Sequence, residues 1–124
     1  MPLTMRVEDS RAFTKTVSLK GRLDNQTVVE FDKELDRVLE APMKVLVFDL
    51  EGLEYISSAG IRSIFKAQKA MKTRSGQTLI VNPQPAVKKV FDIVKAVDLK
   101  SVFSSIKELD AYLDAMQRKI TEGE

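Results

Sequence analysis

Two adjacent serines, Ser57 and Ser58, stand between an apolar run and a segment of helical periodicity, in the stretch Leu53-Glu54-Tyr55-Ile56-Ser57-Ser58-Ala59-Gly60-Ile61. A serine hydroxyl at a helix start has two chemical uses. It can accept a hydrogen bond from the unpaired N–H groups of the first turn, a cap worth about 1 kcal/mol. It can also carry a phosphate, whose negative charge suits the positive end of the helix macrodipole. Ala59 and Gly60 keep bulky side chains away, so the turn is expected to leave the hydroxyl open to another protein's active site. Arg62, Lys66, Lys69 and Thr73 share one helical face beyond it. That stripe is a plain solvated face, or it meets an acidic partner surface and steadies a phosphate on Ser58.

The elements that position this turn follow from periodicity. Val45-Leu46-Val47-Phe48 has the character of a buried strand, and Ile61, Ile64, Phe65 and Met71 form one stripe of a helix of about four turns. Ser75-Gly76 closes it, with glycine suited to the left-handed end position. Upstream, residues 3–9 and 13–20 alternate as two strands with Val7, Phe13, Val17 and Leu19 inward, and Gly21 ends the second. Thr27 and Glu30 have capping-box spacing before a helix carrying Val28, Phe31, Leu35 and Val38, which ends near Ala41-Pro42. Downstream come a strand from Thr78 to Val81 and a helix entered through Asn82 to Pro85, with Val87, Val90, Phe91 and Val94 buried. A short edge strand is expected at Val102-Phe103. Ser105 and Glu108 form a second capping box before a final helix with Ile106, Leu109, Leu113, Met116 and Ile120 inward, and Thr121 to Glu124 are expected to fray. Strands alternating with helices make one α/β sheet with crossover connections.

Composition removes several function classes. The 124 residues suit one domain, and their 44% hydrophobic and 31% charged content is that of a globular protein. No apolar run approaches the roughly 18 residues a membrane span needs, and no secretion signal opens the chain, so a cytoplasmic location is expected. Without cysteine or histidine there is no disulfide, thiol nucleophile, imidazole base or thiolate metal site, and neither a catalytic residue, a cofactor nor a metal is expected. Ser63 and Lys66 have the Ser-x-x-Lys spacing of a penicillin-binding-type hydrolase, but its companion motifs are missing. No phosphate-cradling glycine loop occurs. The net charge of +2 gives no case for nucleic acid, yet its distribution is uneven. Asp24 to Glu54 carries nine acids against Lys33, Arg37 and Lys44, whereas Tyr55 to Phe91 carries seven bases and no acid.

Three pieces together, Leu19-Lys20-Gly21-Arg22-Leu23-Asp24, Val45 to Leu50 and Tyr55-Ile56-Ser57-Ser58-Ala59-Gly60-Ile61, resemble the STAS domain family, in particular its bacterial anti-sigma factor antagonists. The resemblance extends over nearly the whole chain. It implies a single STAS-like α/β domain over residues 1–124, with a mixed four- to five-stranded sheet and about four helices. The family's commonest turn is Asp-Ser-Ser/Thr-Gly-Leu. By that likeness Ser58 takes the place of the phosphorylated serine, Ser57 that of an aspartate, and Ala59 that of a second hydroxyl. Ser58 is therefore the expected phosphosite, with Ser57 as the alternative. Asp24 resembles a family aspartate close to that serine, so Asp24, Ser57, Ser58, Ala59, Gly60 and Arg62 make up the expected partner surface.

The function this implies is partner switching. The unphosphorylated module binds an anti-sigma factor or serine kinase of the ATPase-fold type, phosphorylation on Ser58 releases it, and a phosphatase resets it. The alternative is a STAS scaffold module in a larger signalling assembly whose Ser58 is never modified. An enzyme or anion carrier using the basic helix is a third, weaker reading.

Overall fold

The computed structural model describes residues 2–96 and 103–123. The chain begins with two strands, β1 (Leu3–Arg11) and β2 (Thr14–Leu23), paired as an antiparallel hairpin. Helix α1 (Val28–Leu39) crosses to β3 (Val45–Ile56), which pairs parallel with β2, and α2 (Ser58–Thr73) crosses to β4 (Gln77–Val81), parallel to β3. Helices α3 (Pro85–Ala96) and α4 (Ile106–Thr121) follow. Among the described residues the sheet is mixed and four-stranded, in the order β1-β2-β3-β4, with four helices.

One face of the sheet holds the core. Cross-strand register lines up Val17, Phe48 and Ile80, and all three face the helices. Against them pack Phe31, Leu35 and Val38 of α1, Ile64, Ala67 and Met71 of α2, Val87 and Val90 of α3, and Leu109 and Leu113 of α4. Phe31 and Phe48 meet at 6.4 Å between ring centroids. The opposite face alternates Thr16, Val47 and Leu79 in register, and Leu79 is exposed. The expected helical stripes are thus borne out, except that Ile106 and the expected inward Phe13 and Val7 are exposed. Val7 has the right parity, opposite Val17, but lies on the edge strand beyond the helices. Phe13 sits in the hairpin turn at φ +60°, where its carbonyl accepts the N–H groups of Lys44 and Val45. Of the expected edge strand, Val102 lies outside the described residues, and Phe103 belongs to no strand and packs on Tyr112 at 5.1 Å.

Three local expectations are corrected. Gly21 does not end β2, which continues to Leu23. It sits at φ +106° where β3 gains an extra residue opposite β2, and a Cβ there would lie 2.2 Å from the Pro2 carbonyl oxygen. Thr27 makes no capping bond to α1, because its hydroxyl faces back toward the Arg22 carbonyl (2.8 Å). The left-handed residue after α2 is Ser75 (φ +58°), not Gly76. Gly76 is small for a different reason: a Cβ would come within 2.8 Å of the Lys44 carbonyl oxygen.

β3 is also longer than its alternation suggests. Buried positions run Leu46, Phe48 and Leu50 and then shift to Leu53, because the first of two bulges inserts one extra β3 residue between Asp49 and Gly52; the second inserts another between Leu53 and Tyr55. The strand therefore carries on through Ile56, right up to the serine pair. Gly21→Ala combines an unfavourable φ with a backbone clash and is expected to cost about 1–3 kcal/mol, measured as a lower urea midpoint.

Candidate functional site

The site is the corner where β3 turns into α2. Beyond Asp49, β3 has no β4 partner, so its outer edge would leave backbone groups unpaired. Side-chain amides take the strand's place. Gln84 donates to the Glu51 carbonyl (2.7 Å). Gln117 of α4, buried to 1% exposure, accepts the Ile56 N–H through Oε1 (3.0 Å) and donates through Nε2 to the Ile56 carbonyl (2.8 Å). The next residue, Ser57, donates its N–H to the Leu23 carbonyl at the end of β2 (2.9 Å). Ser58 donates its N–H to Asp110 Oδ1 on α4 (2.9 Å). Three successive residues are fixed by α4, β2 and α4 in turn.

The two serines divide the roles. Ser57 is extended (φ −91°, ψ 173°) and caps α2, its Oγ accepting the Gly60 N–H at 3.3 Å. Ser58 is the first helical residue. Its hydroxyl is buried and has no hydrogen-bond partner among the described residues, and the residue is 7% exposed. The expectation of an open hydroxyl is therefore not met. The small residues do clear the turn, and Ser58 lines a cavity there, but its Oγ is itself covered. Gly60 is small because of the β2 end: a Cβ there would lie 2.7 Å from Leu23 Cγ and 2.9 Å from Ile56 Cγ1. Ala59 is half-buried.

Asp24 follows Leu23, whose carbonyl holds Ser57, so Asp24 lies at the strand end beside the serine turn. Its own bonds point the other way, into the entry of α1. Oδ1 accepts the N–H groups of Gln26 and Thr27, each at 3.0 Å. Oδ2 faces Arg22 at 3.8 Å, and the Arg22 guanidinium lies 3.9 Å over the Tyr55 ring. Burial pushes the Asp24 carboxyl up, but those bonds and the arginine outweigh it, and the group sits below its ordinary value of 3.8. For Tyr55, burial with Asp114 and Asp110 nearby raises the phenol, which stays neutral.

Arg62 is exposed, with Lys66 and Lys69 along the same solvent face of α2. Arg62 also borders a cavity of about 490 Å³ between α2 and the start of α4, walled by Ile61, Phe65, Phe103, Ile106 and Leu109. Helix α2 has no acid in its first turn, and Asp110 supplies that charge from α4. Among the described residues no His, Cys, Asp and Glu group could hold a metal, and no helix is long and apolar enough to cross a membrane. Asp110 and Gln117 are the site residues that periodicity missed. Gln117 did leave a signal: a polar residue continuing the buried row Leu109, Leu113 at spacing four.

Gln117→Leu would strip both Ile56 backbone groups of their partner, and we expect a loss of about 2–4 kcal/mol in urea unfolding, with faster exchange of the Ile56 amide. Asp24 contributes stability above its ordinary pKa, and loses it as the pH falls through the depressed folded value. Asp24→Asn is accordingly expected to flatten the fall of the urea midpoint between about pH 5 and pH 2.

An anti-sigma F factor antagonist of Lysinibacillus sphaericus is 25% identical over 79 residues, covering 63% of this chain and 68% of the relative. The crystal structure of an anti-sigma factor antagonist from Mycobacterium paratuberculosis is similar with a TM-score of 0.68 at 23% identity, over 93% of this chain and 94% of that one. The Bacillus cell fate determinant SpoIIAA in its phosphorylated form is similar with a TM-score of 0.63 at 19% identity, over 80% and 96%. At such identities the structures share a fold. The family model of the STAS domain matches residues 5–109, from β1 to the start of α4, and this chain belongs to the STAS domain family.

Proposed function

We propose that the chain is a regulatory binding module of the anti-sigma factor antagonist type, acting in the cytoplasm. In this reading it binds an anti-sigma factor or serine kinase of the ATPase fold while unphosphorylated, is released when Ser58 is phosphorylated, and is reset by a phosphatase. The observation that carries the reading is the division of labour at the corner. Ser57 spends its hydroxyl on the cap, whereas the Ser58 hydroxyl has no bond to lose among the described residues. Phosphorylation of Ser57 would cost α2 its cap, so Ser58 is the better acceptor of the two.

A phosphoserine brings about −1.5 to −2 charges. At the first residue of α2 the helix macrodipole offsets part of that charge, and Arg62 stands one turn on. At a partner surface the same charge costs desolvation and repulsion of a few kcal/mol, about a 100-fold loss of affinity. Asp24, Ser57, Ala59, Gly60 and Arg62 would frame the contact. No cofactor is required, and no residue has an enzymatic role.

One observation favours a second reading. Ser58 is 7% exposed, which suits a scaffold module whose serine is never modified. Affinity capture from the native extract with wild-type, Ser58→Ala and Ser58→Asp baits, followed by phosphosite mapping, separates the two. We expect an ATPase-fold kinase on the Ala bait, its loss from the Asp bait, and phosphate on Ser58. Equal capture by all three with no phosphate would establish the scaffold reading instead.

A further inference from the structure

We propose that α4 is a lid over the phosphoacceptor: Ser58 becomes a substrate only when the first turns of α4 lift from α2, and a phosphate there holds them lifted. The inference rests on Ser58 being the acceptor and adds the control of that site.

In the closed arrangement Ser58 Oγ is out of reach. It is buried, with no partner among the described residues, the adjoining Asp110 carboxylate occupies the Ser58 N–H, and Leu109 packs into the core beside it. Phosphoryl transfer from kinase-bound ATP forms the Oγ–P bond and breaks the γ-phosphoryl bond to ADP, while the Oγ proton passes to the kinase's base. That geometry needs Oγ in solvent reach of a second protein. The closed state also suits the product poorly. The adjoining cavity is walled mainly by Ile61, Phe65, Phe103, Ile106 and Leu109, with Arg62, Ser104 and Ser105 as its polar lining, so most of its wall offers a dianion no hydrogen bonds. Asp110 would add like-charge repulsion at the very N–H a phosphate would otherwise take.

The lid is fastened unevenly. Its second half is fixed by Leu113 and by Gln117 on Ile56. Its first half holds on through Leu109 and the Asp110 bond, while Ile106 (56%) and Tyr112 (42%) are exposed. Lifting the first turns from α2 breaks, among the described residues, the Asp110 hydrogen bond and the burial of Leu109, with the Gln117 anchor left in place and α3 still to be cleared.

The chain has no cysteine, so Ser58→Cys makes position 58 its sole thiol, and the rate of its reaction with a disulfide reagent such as DTNB reads the opening directly. In that background Asp110→Ala is expected to raise the labelling rate about tenfold, the loss of one hydrogen bond to a charged acceptor, with the urea midpoint lowered by no more than that same free energy. A thiol at exposed Ser104 should label fast with or without Asp110→Ala. Labelling of position 58 as fast as position 104, or a change under twofold on Asp110→Ala, would overturn the lid. In parallel, Asp110→Ala should speed phosphorylation of Ser58 by the captured kinase by a similar factor, and Ser58→Asp should speed amide exchange across Ile106–Asp110. Phosphorylation of Ser58 at equal rates in wild type and Asp110→Ala would refute the lid and leave the acceptor intact. Gated labelling without any phosphorylation would support the lid and refute the acceptor.

Discussion

The corner between β3 and α2 depends on a side chain standing in for a strand. β4 pairs with β3 only from Val45 to Asp49, yet β3 runs on to Ile56. A buried backbone pair at Ile56 without partners would cost several kcal/mol, more than most single contacts in the core return. Gln117 meets both groups with one amide. That bond fixes where α4 lies, and α4 in turn decides what surrounds Ser58. The position of the candidate acceptor is thus coupled to a residue 59 places further along the chain.

Charge organises the surface around this corner. The acids of α1 are partly met on their own helix, with Lys33 facing Glu30 at 3.7 Å and Arg37 facing Glu34 at 3.4 Å. Next to it, α2 exposes Arg62, Lys66, Lys69 and Lys72, with no ion pair to any of them among the described residues. Its N-terminal charge is supplied from another element, by Asp110. A carboxylate and a phosphate compete for the same donor and the same end of the macrodipole. The proposed switch and the proposed lid draw on that single competition.

Much of this was legible from residue spacing. The stripes Phe31, Leu35, Val38 and Ile61, Ile64, Met71 have a period that only a one-sided helix satisfies, and burial follows it. The Ser105 hydroxyl does accept the Glu108 N–H (3.1 Å), because that capping bond is local. Alternation failed where the backbone changed phase. The first bulge in β3 moves the buried set from Leu50 to Leu53, so a period of two breaks while the strand continues. Edge effects also escaped it: Val7 has the parity of a core residue and no helix above it.

By itself the sequence determined the element types, the family, the serine turn and the absence of thiol and imidazole chemistry, because each depends on residue identity or on contacts a few places apart. Tertiary structure alone decided that Ser57 caps while Ser58 is buried, that Asp24 serves the entry to α1, and that Asp110 and Gln117 belong to the site. Those outcomes depend on which distant groups meet an unpaired N–H or carbonyl. Hydrogen-bond satisfaction in a buried corner is a property of three-dimensional neighbours, and no local period encodes it.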